Sequence, residues 1–172
     1  MADDATMTID ATILPDEISK TLSSQTYGYT PADTSEGWYY KIADITTSSA
    51  NLIGTETFLQ KGATTAGVDT GSSMPVLTVS DKVKFLFIKH TGYRDDGTTA
   101  NTADSIYLVF DGGTVSHSSP DAIEIGPNEC WFGKFNGLTT ENLHCISGQK
   151  AGAGTGGNKI QAIVAAVIDD VA

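Results

Sequence analysis

The stretch DAIEIGPNECWFGKFNGLTTENLHCIS, residues 121–147, sets the expected fold of this 172-residue chain. Pro127 presets the φ angle of a turn and Asn128 tolerates the position after it, so a turn is expected there. Asn136-Gly137 is a strong short-range hairpin signal because both residues tolerate positive φ. The residues between these two turns suit a pleated, half-buried surface. We therefore predict three strands joined by two adjacent hairpins in an antiparallel sheet, over residues 121–125, 130–135 and 142–147.

Short apolar runs separated by turn signals recur through the rest of the chain. VKFLFIK at residues 83–89 is apolar on both faces after Lys84, which is typical of a central strand buried on both sides. The polar residues 90–104 are expected to form a long loop. The regular spacing of strands and turns predicts an all-β fold, an antiparallel β-sandwich that is jelly-roll-like. The remaining strands are expected at residues 38–46, 52–59, 74–79, 83–89 and 105–110.

The last apolar segment, KIQAIVAAVIDDV at residues 159–171, is ambiguous. Its apolar residues also fall at helical spacing, and Asn158 is a suitable N-cap. Against a helix, β-branched residues are frequent, and Asp169-Asp170 would lie unfavourably at a helix C-terminus. We interpret the segment as a closing strand through about Asp169, with a helix as the alternative.

The N-terminal 36 residues have a different pattern from the rest. Residues 6–13 alternate between apolar and polar, which predicts a strand that pairs with the domain's own sheet or with a neighbouring subunit. Pro15 followed by Asp16 and Glu17 predicts a short helix near residues 15–22. We therefore divide the chain into an N-terminal arm, residues 1–36, and a β-sandwich domain, residues 37–172.

The charge of the chain excludes several classes of partner. The formal net charge is −11 and the pI is about 4.4, although only 18% of residues are charged. Binding to nucleic acid or to an anionic membrane needs clustered Lys and Arg, so neither partner is expected. The acidic start Met1-Ala2-Asp3-Asp4 lacks the apolar region of a secretory signal, and no apolar run is long enough to span a membrane. We expect synthesis in a cytoplasm.

The glycine-rich run Gly152-Ala153-Gly154-Thr155-Gly156-Gly157 matches the pattern G-x-G-x-x-G. A dinucleotide site also needs a βαβ unit with an acidic residue about 20 positions further on, and the sequence ends before that point. A phosphate-binding loop would need lysine where Asn158 stands. We interpret the run as a hairpin loop, so no cofactor is expected.

Other candidate residues lack the spacing that their chemistry needs. The acidic loop residues do not follow the calcium-binding EF-hand pattern, and Arg94 competes with a cation there. The histidines are scattered and provide no zinc-binding pair, and a nucleophile–base pairing of Cys145 with His117 or His90 rests on residue type alone. We predict no catalytic, cofactor-binding or metal-binding residue, and no enzymatic activity. The residues weighed were Asp95, Asp96, Asn101 and Asp104 for calcium, and His90, His117, His144 and Cys145 for catalysis or zinc.

Two further features leave alternatives open. Cys130 and Cys145 are too few for a disulfide scaffold, and we expect two free thiols, with a disulfide across neighbouring strands as the alternative. Aromatic residues with a polar tip favour interfaces, and five of them are candidates for a platform that binds a sugar or a protein. They are Tyr27, Tyr29, Trp38, Tyr39 and Tyr93.

The order of these segments resembles that of small β-sandwich structural proteins of tailed, especially marine, bacteriophages. The turn I-x-I-G-P-N-E, the aromatic strand after it and the closing I-S-G are the most similar parts, and the likeness covers most of the chain. The similar runs are EISKTLSS (17–24), EGWYYKIADITTSSANLI (36–53), VKFLFIKHTG (83–92), SIYLVFDGG (105–113), DAIEIGPNECWFGKF (121–135) and LHCISGQ (143–149).

The resemblance implies a non-enzymatic virion protein, present in the phage particle after synthesis in the host cytoplasm. It implies most directly a head decoration or cement protein that binds the major capsid protein. The alternative is a tail or fibre accessory module that binds a host receptor or a glycan. Such proteins are often homo-oligomers, trimers among them. We expect the arm, residues 1–36, to contact the major capsid protein or a sister subunit.

Overall fold

The computed structural model describes residues 5–9, 25–29, 36–54, 59–60, 77–149 and 157–169. These residues form eleven β-strands and one 3₁₀ turn, Thr140–Asn142. The strands are β1 Ala5–Ile9, β2 Gln25–Tyr29, β3 Glu36–Ile45, β4 Ala50–Asn51, β5 Leu59–Gln60, β6 Lys82–Arg94, β7 Ser105–Val109, β8 Ile123–Ile125, β9 Cys130–Thr139, β10 His144–Gly148 and β11 Ile160–Asp169.

A five-stranded antiparallel sheet has the order β5-β3-β11-β6-β9. The last strand, β11, lies at its centre, where ten residues pair with β3 and the opposite edge pairs with β6. The interpretation of the last apolar segment as a strand through about Asp169 is therefore confirmed. Phe85 and Leu86 point to opposite faces of β6 and are both buried, which confirms that this strand is central and covered on both sides.

A four-stranded antiparallel sheet, with the order β4-β10-β7-β8, packs against the inner face of the five-stranded sheet. One apolar cluster contains inward-pointing residues of both sheets, such as Ala43, Leu86 and Val164 from one and Ile106 and Leu108 from the other. Alternate residues of each strand supply this core because side chains in a strand point to opposite faces. The prediction of an all-β antiparallel sandwich is confirmed.

The stretch 121–147 forms the three predicted strands, but the prediction of two adjacent hairpins is wrong. β8 pairs with β7, β9 pairs with β6, and β10 pairs with β7 and β4, so consecutive strands lie in alternate sheets. The turn at Pro127-Asn128 forms as expected, with Asn128 at φ 67° and the Glu129 N–H donating to the Gly126 carbonyl at 3.0 Å. It crosses between the sheets, and β9 then satisfies the backbone N–H and C=O groups on the edge of β6 that β11 leaves unpaired.

Asn136-Gly137 is the clearest local misinterpretation. β9 continues through both residues to Thr139, and Gly137 has φ 93°. The pairing with β6 shifts from Phe85↔Lys134 to Val83↔Leu138, so β9 has extra residues at this point. Positive φ suits a β-bulge as well as a turn, and the sequence signal alone does not separate the two.

Three other boundaries differ from the predictions. Leu77–Val79 is not a strand, and Leu52 and Ile53 are buried core residues outside any strand. β6 continues to Arg94 and folds back through a Tyr93↔Ala100 bridge, which shortens the predicted loop of residues 90–104.

β1 pairs with β2 of its own chain in a separate two-stranded sheet. The short helix predicted near residues 15–22 lies outside the described residues.

Candidate interaction surface

The outer face of the four-stranded sheet is covered by the chain itself. Tyr107, Val109 and Ile146 point away from the main core but are buried, because Val115 and Ala122 pack on them in a second apolar cluster. Val115 and Ala122 belong to residues 110–122, which connect β7 to β8 and which we name the covering loop. This sheet therefore has apolar contacts on both faces.

Two histidines attach the covering loop to β10. The ring Nδ1–H of His144 donates to the Gly113 carbonyl at 2.7 Å, and the ring Nε2–H of His117 donates to the Ser147 carbonyl at 3.1 Å. The His117 ring also meets Tyr107 edge-on, with ring centroids 5.5 Å apart. A Cβ on Gly148 would lie 2.2 Å from Nε2 of His117, so only glycine leaves room for this ring.

The outer face of the five-stranded sheet carries side chains in cross-strand rows. The register places Tyr40 of β3 beside Ala165 of β11, then Phe87 of β6, then Phe132 of β9. A second row contains Ile42, Ile163, Lys89 and Cys130, and a third contains Trp38, Val167, Phe85 and Lys134. Side chains in such rows are close enough to act as one continuous surface.

One end of this outer face is covered by Tyr29, the last residue of β2. The Tyr29 hydroxyl donates to the Glu36 carboxylate at 3.0 Å, and its ring stacks near Phe85 with centroids 6.3 Å apart. The ammonium of Lys134 lies 5.8 Å from the centre of the same ring. Phe85 and Val167 are buried here, although both point away from the main core.

The other end of the outer face remains open. Tyr40 is 65% exposed and Ile42 is 58% exposed, which makes them the two most exposed large apolar side chains of the described residues. Their row neighbours Phe87, Ile163 and Ala165 are half-buried. We name these five residues the open patch. A contiguous exposed apolar surface is characteristic of an interaction site.

The acidic loop residues do not converge on one point. Asp96 caps the hairpin tip, where the Thr99 hydroxyl, then the N–H groups of Thr99 and Thr98, lower the pKa of its carboxyl to about 2. Asp95 lies 3.8 Å from the Lys159 ammonium instead. In the described part of the chain, no group of three or more His, Cys, Asp or Glu residues is arranged to hold a metal ion.

Asp104 connects the β6 hairpin to the start of β11. Its Oδ2 accepts hydrogen bonds from the side chain of Asn101 at 2.9 Å and from the backbone and side chain of Asn158 at 3.2 and 2.9 Å. The carboxylate is 1% exposed, and its Oδ1 has no hydrogen-bond partner among the described residues. Asn101 also accepts from the Asp104 N–H at 3.0 Å, so this pair closes the hairpin.

His90 is a buried structural residue. The Gly92 N–H donates to its Nδ1 at 2.9 Å, so the proton of the neutral ring is on Nε2, which donates to the Asp104 carbonyl at 3.2 Å. Burial lowers the pKa of His90, against the opposing effects of the Asp104 carbonyl and the Asp104 and Glu129 charges. The ring is therefore kept neutral.

The two cysteines are free, as expected, and lie in different sheets. Cys145 points into the core, where burial raises the pKa of its thiol to about 12, a shift that Lys41 only partly opposes. Such a thiol is not an activated nucleophile, and the rings of His90 and His117 bind backbone groups. Cys130 is exposed on β9 beside the open patch.

Of the aromatic residues proposed as a platform, the structure brings two together. Tyr29 and Trp38 both contact Phe85, whereas Tyr39 belongs to the buried core and Tyr93 is exposed at the β6 hairpin. Residues 152–156 and the side chain of Tyr27 lie outside the described residues. The open patch was missed because it combines residues of three strands, and its only sequence signal is the alternation of apolar residues along 38–46.

No protein-family model, no curated protein and no solved structure matches this chain. Among the described residues, no helix has the length and apolar character needed to cross a membrane.

Proposed function

We propose that this chain is a non-enzymatic virion structural protein, a head decoration or cement protein that binds the major capsid protein. The resemblance of its strand and turn order to phage sandwich proteins supports this proposal. The net charge of −11 favours solubility and disfavours contact with packaged nucleic acid. The histidines also support a role without catalysis, because all three rings hydrogen-bond backbone carbonyls.

The observation that carries the proposal is the separate sheet formed by β1 and β2. It is paired to neither the five-stranded nor the four-stranded sheet. The side chain of Tyr29, through Glu36 and Phe85, attaches it to the sandwich. A strand pair outside the main sheets, within the first 36 residues, is suited to contact a second protein by adding to a sheet edge or by packing on it.

Binding to capsids that lack this protein tests the proposal. We expect the full chain to bind in hundreds of copies per particle, and a variant lacking residues 1–14, which removes β1, to lose most of this binding. Circular dichroism of the variant must show that the sandwich is still folded. Undiminished binding would exclude the arm as the contact.

The copy number in purified particles separates the two virion roles. Hundreds of copies, measured by quantitative mass spectrometry against the major capsid protein, are expected for a decoration protein. A dozen copies or fewer would instead indicate a tail or fibre module, and glycan-array and adsorption assays would then identify its ligand. Absence from the particle would reject both roles.

A further inference from the structure

Asn136-Gly137 is the one Asn-Gly pair in the sequence, and it lies in β9 at the edge of the five-stranded sheet. Residues 135–137 together lie opposite Lys84 alone, so the register gives neither member of the pair a partner on β6. Both residues are exposed. Apart from its chain neighbours, a Cβ at position 137 would meet no atom of the described residues within 4 Å. The pair is therefore accessible and outside the strand pairing.

We propose that Asn136 is a site of spontaneous covalent modification, at which the folded chain converts asparagine to isoaspartate and aspartate. Asparagine is a thermolabile residue. A glycine after it favours the reaction, because no Cβ hinders the approach of the glycine nitrogen to the asparagine side chain. This inference is independent of a virion role, since the reaction needs only the chain itself and water.

The reaction proceeds through a cyclic imide, and its atoms balance. The backbone nitrogen of Gly137 attacks the side-chain carbon Cγ of Asn136, and the new C–N bond closes the ring. The bond from Cγ to the side-chain nitrogen breaks, and that nitrogen leaves as ammonia with the proton that Gly137 has lost. Water then opens the imide. Attack at the backbone carbonyl gives isoaspartate, and attack at Cγ gives aspartate.

The sequence also contains two Asp-Gly pairs that could form the same imide with loss of water, Asp96-Gly97 and Asp111-Gly112. The fold holds the attacking nitrogen in both. The Gly97 N–H donates to the Arg94 carbonyl at 2.9 Å, and the Gly112 N–H donates to the Asn142 carbonyl at 3.1 Å. Both carboxylates also accept backbone N–H groups within their turns. These pairs are internal comparisons, because their sequence permits the imide and their structure opposes it.

The other five asparagines are less suited to the reaction. Each is followed by a residue whose side chain hinders attack by the backbone nitrogen. The side chains of Asn101 and Asn158 are in addition hydrogen-bonded to Asp104. Sequence and structure together therefore select position 136. The five are Asn51, Asn101, Asn128, Asn142 and Asn158.

Peptide mapping by mass spectrometry is the first test. The full chain is incubated at mildly alkaline pH, once folded and once in urea, and fragmentation distinguishes isoaspartate from aspartate. We expect Asn136 to react in the folded chain within a few-fold of its rate in urea, and at least tenfold faster than any other asparagine. Isoaspartate at Asp96 and Asp111 should form at least tenfold more slowly in the folded chain than in urea. Modification of Asn136 that appears only in urea would overturn the proposal.

Isoelectric focusing of variants assigns the modification to one residue. The parent should accumulate a more acidic band with time, because a neutral amide becomes a carboxylate. Asn136→Gln should not form this band, because a glutamine side chain would have to close a larger ring. Asn51→Gln is the matched control, since Asn51 is also exposed on a strand, and it should still form the band. A band that persists in Asn136→Gln would place the modification elsewhere.

Hydroxylamine tests the imide itself. It attacks the imide and cleaves the chain between residues 136 and 137. We expect the folded parent to give a fragment that begins at Gly137, and Asn136→Gln to remain intact. Formation of aspartate alone, with no isoaspartate and no cleavage, would mean direct hydrolysis of the side-chain amide and would refute the proposed reaction.

Discussion

The four-stranded and five-stranded sheets share one core, but their outer faces are covered in different ways. On the four-stranded sheet the covering loop buries Tyr107, and two histidines and a glycine attach the loop to β10. On the five-stranded sheet, Tyr29 covers one end and leaves Tyr40 and Ile42 exposed at the other. The same chain thus has one apolar outer face that its own covering loop buries and one on which two large apolar side chains are exposed.

The two outer faces differ in which part of the chain covers them. The covering loop connects adjacent strands of one sheet, so it lies over that sheet by connectivity. The five-stranded sheet receives its cover from a residue distant in sequence from β6, β9 and β11. A face covered in this second way depends on contacts between residues that are distant in sequence, such as that of Tyr29 with Phe85. The predictions below test this distinction.

Truncating matched tyrosines on the two faces should give the largest difference in stability. Tyr107 is 4% exposed beneath the covering loop, and Tyr40 is 65% exposed on the open patch. We expect Tyr107→Ala to lower the free energy of unfolding by about 3 kcal/mol or more. Tyr40→Ala should change it by less than about 0.5 kcal/mol. Urea unfolding measures both.

Tyr107→Phe is the control for the hydroxyl, which donates to the Glu124 carboxylate at 3.3 Å. It keeps the ring and should cost no more than about 1.5 kcal/mol. Similar losses for Tyr107→Ala and Tyr40→Ala would mean that the two faces are not covered differently.

Gly148→Ala should detach the covering loop, although the substitution removes none of the loop's own side chains. The new methyl group would lie 2.2 Å from Nε2 of His117, so the ring must move. We expect a loss of about 1 to 3 kcal/mol, typical of an overpacked site, and faster amide exchange in residues 110–122. The double variant with His117→Ala should lose less than the sum of the single variants, because the clash is then absent. Additive losses would contradict the proposed role of the ring.

The sequence predicted the element types well where a pattern is local. The alternation in residues 38–46, the two apolar faces of residues 83–89 and the β-branched residues of 159–171 all identify strands that form. The assignment of strands to the two sheets was not predicted, because it depends on which strand edges pair with each other. β9 pairs with the edge of β6 opposite β11, and this separates β9 from β8 in spite of the tight turn between them.

The candidate site was harder to predict than the fold. Residue types suggested chemistry at Asp104 and at the histidines, and the structure uses them to hold loops in place. The open patch required the register of three strands, which places Tyr40, Ala165 and Phe87 in one row although they are distant in sequence. Only the outward pattern of β3 was visible in advance.

The pH dependence of stability should identify His90 as the histidine in the shared core. Burial lowers its pKa below the usual 6.5, so below that pH the unfolded chain takes up a proton that the folded chain resists. His90 therefore makes stability fall as pH decreases from 6.5, with a slope of no more than about 1.4 kcal/mol per pH unit. Above pH 6.5 it contributes no slope.

Comparison with His90→Asn between pH 7 and 5 isolates this effect from the titration of carboxylates. The variant should be less stable at pH 7 but lose less stability on acidification than the parent. If His90→Asn loses as much stability as the parent over this range, the buried ring is not the source of the slope.

Thiol labelling at low protein concentration should perturb the protein least. It should still distinguish the exposed cysteine of the five-stranded sheet from the buried cysteine of the core. Cys130 is exposed beside the open patch, so we expect one thiol of the native chain to react rapidly with an aromatic disulfide reagent. Cys145 is buried, with the pKa of its thiol raised to about 12, so it should react only after unfolding. Cys130→Ser should abolish the fast reaction, and Cys145→Ser should leave it intact.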